Sequence, residues 1–322
     1  MKRILNKRNL AKVLYATGVV HAAGLLQRLA GNCPLIVTGH RVLHDSGTTR
    51  SEIDNTALLS GHAITEAELI RRLKFLSLIR TPGDPRDLAT GTPGRNAFYI
   101  TFDDGYRDNI EVAGPILRKW HIKPLIFLIG ELVKNPSLLP WWDALGKKKH
   151  RTTLTDNGAS SYGDLCQQIK QTSMGLLHDK DALYEHDEND DDLYLELDDI
   201  SELHGKWDFY IGNHTMSHPN FSKIDEKTMQ EEINNCTDIL SDFPGYLPIL
   251  AYPFGVYDDR ITSYLKRSSD ITMALATGYG ENNNQYTVKR VNLNTRPFSL
   301  FAAECIEING VLEKLRRKHQ TT

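Results

Sequence analysis

The stretch FYITFDDGYRDN, residues 98–109, ends an apolar run on two adjacent carboxylates, Asp103 and Asp104, follows them with Gly105 and opens a polar turn. Strand stability asks for neither acid, since Asp is depleted in strands. An acidic pair at the end of a buried-type strand is therefore a candidate for chemistry. The fold depends on whether similar strands surround this one.

Six other strand-like runs do so. Together the seven are PLIVTG (34–39), AFYITF (97–102), KPLIFLIG (123–130), WDFYIG (207–212), LPILAY (247–252), ITMALAT (271–277) and YTVKRV (286–291). Helix-like segments separate them: TEAELIRRLKFL (65–76), opened by a Thr65/Glu68 capping box, GPILRKW (114–120), DEKTMQEEINNCTDIL (225–240), DDRITSYLKR (258–267) and LFAAECIEINGVLEKLRRKH (300–319). Strands alternating with helices predict an α/β fold with a parallel sheet. A chain of 322 residues suits one large domain with an insertion.

Residues 140–202 break the rhythm and read as that insertion, being polar and rich in Asp, Lys and Ser. Its acidic end, HDENDDDLYLELDD, is not a calcium loop. Counted from Asp187, Asp192 stands where Gly is needed and Asp198 where Glu is needed, so a solvated acidic loop is expected. Trp141 and Trp142 in PWWDAL are expected to pack a helix, with an aromatic platform for a sugar ring as the other reading.

Composition removes several classes. A net charge of −3 gives no broad positive field, which excludes nucleic acid as a partner. Cys33, Cys166, Cys236 and Cys305 are scattered without CxxC spacing and are expected as unpaired thiols. At the N-terminus, Lys2, Arg3, Lys7, Arg8 and Lys12 precede the mildly apolar VLYATGVVHAAGLL. This run is too short to span a bilayer. It fits a poor signal peptide cleaved near Ala22, or an amphipathic helix with Val13, Val20, Leu25, Leu26 and Leu29 on a buried or membrane-facing side. The helix reading is preferred. It divides the chain into an N-terminal helix (1–33), a barrel-like body (34–298) and a C-terminal helix with a basic tail (299–322). It also sets the expected localisation as cytoplasmic or peripheral to the inner membrane.

The second informative stretch, GNHTMSHPN, places His214 and His218 four apart just after a strand, a spacing that can put two imidazoles on one metal. Pro219 disfavours the α conformation at His218, so a turn at a strand end is expected. HxxxH alone is weak. In a parallel α/β barrel, however, all strand C-termini lie on one face, where the acidic pair and the two histidines would converge. One carboxylate and two imidazoles leave coordination positions open, as in a catalytic site, and the second carboxylate is free to act as a base.

With these residues assembled, the chain resembles the polysaccharide deacetylases of carbohydrate esterase family four, which share the NodB homology domain. TFDDG (101–105) is similar to the family's first motif and HTMSH (214–218) to its second. The resemblance covers roughly residues 35–291 and implies a distorted (β/α) barrel of about seven parallel strands. It implies Asp103 as catalytic base and Asp104, His214 and His218 as ligands of a divalent metal, zinc first, with cobalt, manganese or nickel as alternatives. It also implies Tyr106, Tyr252 and Pro253 as substrate-binding residues.

The third motif, R-x-P-[FY], is represented by AYPFG (251–255), with Ala251 in place of the arginine. The backbone N–H of Phe254 is the implied oxyanion donor, and Arg290 is the candidate substitute for the lost arginine. The late L-x-H motif is absent, since Asn294 follows Leu293. Circularly permuted relatives carry an active-site histidine after their first strand, which points to His40 as general acid.

The expected activity is metal-dependent hydrolysis of N-acetyl groups on amino sugars of a polysaccharide or glycolipid. Formyl or O-acetyl release is the related reading. A carbohydrate-binding protein that keeps a metal site without turnover is the alternative from another class.

Overall fold

The computed structural model describes residues 7–30, 34–45, 51–144, 193–277 and 284–306. Its strands are β1 (Leu35–Gly39), β2 (Arg41–Leu43), β3 (Ala63–Thr65), β4 (Thr81–Pro82), β5 (Ala97–Phe102), β6 (Leu125–Leu128), β7 (Tyr210–Asn213), β8 (Tyr246–Ala251), β9 (Met273–Thr277) and β10 (Val288–Asn292). Seven of them, in the order β1-β10-β9-β8-β7-β6-β5, pair in parallel and close when β5 pairs with β1. These are the seven runs read from the sequence. β4 adds to the start of β5, and β2 pairs with β3 in a small separate sheet.

Alternation along β5 sorts the side chains. Ala97 and Tyr99 join Ile36, Leu125, Phe127, Ile249, Ala251 and Leu275 in the cluster that fills the barrel. Phe98, Ile100 and Phe102 belong to the outer cluster, which the surrounding helices cover. This two-layer burial, expected of a closed parallel sheet, explains why β5 is buried along its whole length and almost entirely apolar.

The Thr65/Glu68 capping box is present and opens the helix Glu66–Ile79. Other boundaries moved. Trp207 ends a helix, Leu197–Trp207, that begins inside the predicted insertion. Asp208 (φ 59°) then turns the chain, and β7 starts only at Tyr210. The predicted polar insertion thus ends in an amphipathic helix that buries Ile200 and Leu203. Residues 145–192, with most of the acidic loop and Cys166, lie outside the described residues, as do Cys33 and the C-terminal tail from 307. Cys236 and Cys305 are free and buried.

The single N-terminal helix expected from the sequence is instead two, Lys7–Ala16 and Val19–Ala30, bent by 77°. Gly18 sits between them at φ +76°, a conformation that breaks helical continuity. The bend also splits the predicted apolar face. Val20 is fully buried, whereas Val13, Leu25 and Leu26 are exposed. Tyr15 packs edge-on against Phe298, and Gln27 Nε2 donates to the Ile306 carbonyl at 2.8 Å, so the pair rests on the body of the protein. Among the described residues no single helix is long and apolar enough to cross a membrane.

Candidate active site

Period-two alternation continues from Tyr99 through Thr101 to Asp103, which therefore points into the mouth of the barrel. The same rule would turn Asp104 outward. Asp104 instead adopts φ 74°, followed by Gly105 at φ +84°, and this left-handed turn brings both carboxylates to one cavity. A Cβ on Gly105 would lie 2.9 Å from Leu128 Cδ2, so conformation and space both require glycine there.

The histidines leave β7 on a turn, not a helix. Asn213 Oδ1 accepts from the Thr215 N–H at 2.7 Å, and Thr215 Oγ1 accepts from the His218 N–H at 3.0 Å. Thr215 (φ 69°) and His218 (φ 57°) are both left-handed, in agreement with Pro219 barring the α conformation. Glu232 clamps the loop by accepting from both the N–H and the hydroxyl of Ser217, each at 2.7 Å.

Asp104 Oδ1 lies 3.4 Å from His214 Nε2 and 3.8 Å from His218 Nε2. Ligands about 2.1 Å from a tetrahedral ion stand roughly 3.4 Å apart, so the three atoms fit one cation. All three residues are buried, and Asp104 Oδ1 makes no hydrogen bond. His214 Nδ1 faces the Ala251 carbonyl at 2.8 Å. A carbonyl only accepts, so Nδ1 carries the proton and Nε2 presents a lone pair.

The second carboxylate is held differently. Arg290, on β10, grips Asp103 with both terminal nitrogens, Nη1 to Oδ1 at 2.6 Å and Nη2 to Oδ2 at 2.8 Å. β10 lies beside β1, and β1 beside β5, so this arginine reaches Asp103 from β10 and not from β8, where Ala251 stands. Burial alone would raise Asp103, but the guanidinium, with His214 and His40, outweighs it and lowers the carboxyl. Asp104 is likewise kept well below the ordinary range against its burial, by His214 first and then His40 and His218. Burial works to lower His214, but its contact with Asp104 and the nearby acids carry it upward. Burial and the neighbouring His214 push His218 down to about 3, which keeps its ring neutral.

The cavity, about 260 Å³, is lined by these groups and by His40, Trp141, Trp142 and Phe254. His40 follows β1 and meets His62 edge-on at 5.4 Å. Phe254, left-handed at φ 57°, packs its ring 4.6 Å from that of His218. Both tryptophans border the cavity but are only 1% and 7% exposed and sit in an apolar cluster with Ile129 and Leu132, in agreement with the packing reading. His62, brought in just before β3, is a cavity residue that the sequence reading missed.

Of the three predicted substrate residues, two lie outside the cavity lining and the third only touches it. Tyr106 is 1% exposed and buries its hydroxyl against Asp143 and Trp142, because the left-handed step at Asp104 points the next side chain away from the cavity. Pro253 is buried outside the cavity lining. Tyr252 touches the cavity, but its ring stacks on Tyr257 and its hydroxyl donates to the Tyr286 carbonyl. Ala251, the last residue of β8, faces the barrel interior, and Tyr252 just after it turns its ring to an outer cluster.

Comparison with known proteins gives a consistent picture. The Bacillus subtilis protein YxkH is 46% identical over 41 residues, 13% of this chain and 15% of its own length. Peptidoglycan-N-acetylmuramic acid deacetylase PdaC of Bacillus subtilis is 29% identical over 82 residues, 25% of this chain and 18% of its own. The chain thus matches less than a fifth of either relative. Two solved structures share the fold over most of the chain. Streptococcus pyogenes deacetylase PplD, in complex with acetate, has a TM-score of 0.53 at 16% identity, covering 80% of this chain and 91% of its own. IcaB from Ammonifex degensii has a TM-score of 0.53 at 19% identity, covering 85% and 97%. The polysaccharide deacetylase family model matches residues 90–269, more than half of the chain, and the chain belongs to that family.

Proposed function

We propose that this protein is a metal-dependent deacetylase that removes N-acetyl groups from amino sugars of a polysaccharide or glycolipid. The observation that carries this reading is the meeting, at one barrel mouth, of the Asp104–His214–His218 group with an arginine-held second carboxylate, Asp103. A divalent ion, zinc first, held by that group would supply Lewis acidity at the amide carbonyl. Asp103 is ionised, and its fixed oxygens are placed to take a proton from the attacking water. The Phe254 N–H is the donor proposed for the charge that develops on the carbonyl oxygen. His40, on the cavity wall, gives a proton to the departing amine. Acetate and a free amine are the products. At about 260 Å³ the cavity is small beside the ~300–1,000 Å³ of drug-sized pockets, which suits one sugar unit with its acyl group.

Acetate release from acetylated chito-oligosaccharides, with and without a chelator, tests this. Release that stops on chelation and returns with zinc supports it. Sugar binding without release, there or on formylated and O-acetylated glycans, supports the non-catalytic alternative. Ala251 in place of the motif's arginine favours that alternative, and Arg290, which holds Asp103 from β10, weighs against it.

The N-terminal helices support a peripheral membrane position. Val13, Val19, Leu25 and Leu26 are exposed, Lys7, Arg8 and Lys12 are exposed beside them, and no acidic residue precedes Asp45. Such a surface suits anionic lipid headgroups. Co-sedimentation with phosphatidylglycerol vesicles but not phosphatidylcholine vesicles, lost in Leu25→Gln/Leu26→Gln, is the expected result. Equal sedimentation of wild type and variant would remove this assignment.

A further inference from the structure

The two histidines of the site are oriented by different means. His214 Nδ1 is tied to the Ala251 carbonyl, whereas His218 Nδ1, equally buried, makes no hydrogen bond. A metal-binding imidazole ordinarily has its outer nitrogen held by a hydrogen bond. His218 is held by packing, against Phe254 at 4.6 Å and Trp142 at 4.9 Å between ring centroids.

Trp142 is in turn anchored. Its Nε1–H donates to the Tyr106 hydroxyl at 2.9 Å, and that hydroxyl donates to Asp143 Oδ2 at 2.9 Å. The Tyr194 hydroxyl donates to the same oxygen, and the two tyrosine rings stack at 4.7 Å. None of the four side chains belongs to a residue more than 7% exposed, yet Tyr106, Asp143 and Tyr194 stand outside the cavity lining. The chain runs back to the metal turn: the Arg107 N–H donates to the Leu193 carbonyl and the Leu195 N–H to that of Gly105, next to Asp104. A buried carboxylate is an expensive way to fill this space. Burial pushes Asp143 up to about 6, against the opposing effects of Arg41 and the two phenols, and an apolar residue would carry no such penalty.

We propose that Asp143 is a positioning residue of the metal site, which fixes Tyr106 and, through Trp142, the ring of His218 in place of the hydrogen bond that Nδ1 lacks. This rests on the reading of Asp104, His214 and His218 as metal ligands. The argument is one of geometry: the aromatic wall of the cavity and the outer support of a ligand are the same side chain, Trp142.

Zinc affinity, measured on the full chain by competition with a chromophoric chelator, tests the proposal without reference to turnover. Tyr106→Phe keeps the stacked ring and removes the hydroxyl that links Trp142 to Asp143. It and Asp143→Leu should bind zinc about 10–100-fold more weakly, the usual cost of losing outer support for a ligand. Asp143→Asn should stay near wild type, because its amide oxygen can accept the same two hydroxyl donors. If Asp143→Leu fails to fold, Tyr106→Phe decides. Wild-type affinity in Tyr106→Phe, or equal losses in Asp143→Asn and Asp143→Leu, would overturn the proposal. A wild type that binds no zinc, like a His214→Ala control, would overturn the metal reading itself and this inference with it.

Discussion

Asp103 and Arg290 form a pair almost wholly out of solvent, with side chains 5% and 1% exposed. Breaking a buried pair from one side leaves an uncompensated charge, at about 3–5 kcal/mol. Arg290→Ala should therefore lose about that much stability in urea unfolding, and Asp103→Asn in the same chain should recover part of it. The arginine also sets protonation. Without it, only His214 and His40 oppose burial and the Asp103 carboxyl rises, so the base stays protonated to higher pH and the acidic limb of kcat/KM should move upward. An unmoved limb would separate Asp103 from the base role. His40 is tested by leaving group. An amine needs a proton before it departs and an activated phenol does not, so His40→Ala should keep its zinc and retain far more activity on an aryl acetate than on an acetamido sugar. Equal loss on both substrates would make His40 structural. Asp103, Asp104, His214 and His218 were legible because their motifs are short and local. Tyr106 was misread because sequence adjacency does not reveal a φ of 74° at Asp104.

At the scale of elements, the site is built from turns in an uncommon conformation. Of the six non-glycine residues with positive φ among the described residues, Asp104, His218 and Phe254 line the cavity, and Thr215 lies in the turn between His214 and His218. Each such step costs about 1–2 kcal/mol, so the strands that anchor these turns must outweigh several such penalties. The turn after β8 shows the constraint most directly. Gly255, at φ +69°, would place a Cβ 2.1 Å from Thr277 Oγ1 and 2.7 Å from the Thr277 nitrogen, whereas Gly91, at φ +70°, has nothing within 4 Å. Gly91→Ala should thus cost only the left-handed penalty of about 1–2 kcal/mol. Gly255→Ala must also displace backbone at the end of β9, and overpacking adds about 1–3 kcal/mol. Urea unfolding midpoints of the two variants compare these costs directly, and equal midpoints would contradict the close approach. The seven strands were readable because buried strands are continuously apolar. Tyr252 was readable too, by counting outward from Ala251, but the motif drew attention away from the alternation. Nothing local announced Trp141 and Trp142 as cavity residues, since Trp142 meets His218 across 76 residues of chain and Trp141 meets Phe254 from still farther away.

Across the whole molecule, closure of the sheet is what turns separated motifs into one site. β5 and β7 flank β6, β10 lies beside β1, and the C-terminal ends of all these strands open on the same mouth. The sequence points to Arg290 as the substitute arginine, but its reach to Asp103 exists only because β1 bridges β10 and β5. A ligand cluster that forms only in the closed barrel must bind its ion in the folded state far better than in the unfolded chain, so the ion stabilises the whole fold by mass action. At free zinc 100 times its Kd the gain is about 2.7 kcal/mol. For a domain of this size each kcal/mol is worth about 2 °C, so chelation should lower the unfolding temperature by about 5 °C. His218→Ala should abolish that difference, because two remaining ligands hold the ion too weakly to bias folding. Arg290→Ala, which leaves all three ligands in place, should be less stable than wild type yet keep the zinc-dependent increment. The two variants thus separate metal linkage from general weakening of the barrel. An unfolding temperature indifferent to chelator in the wild type would show that Asp104, His214 and His218 do not hold an ion in solution.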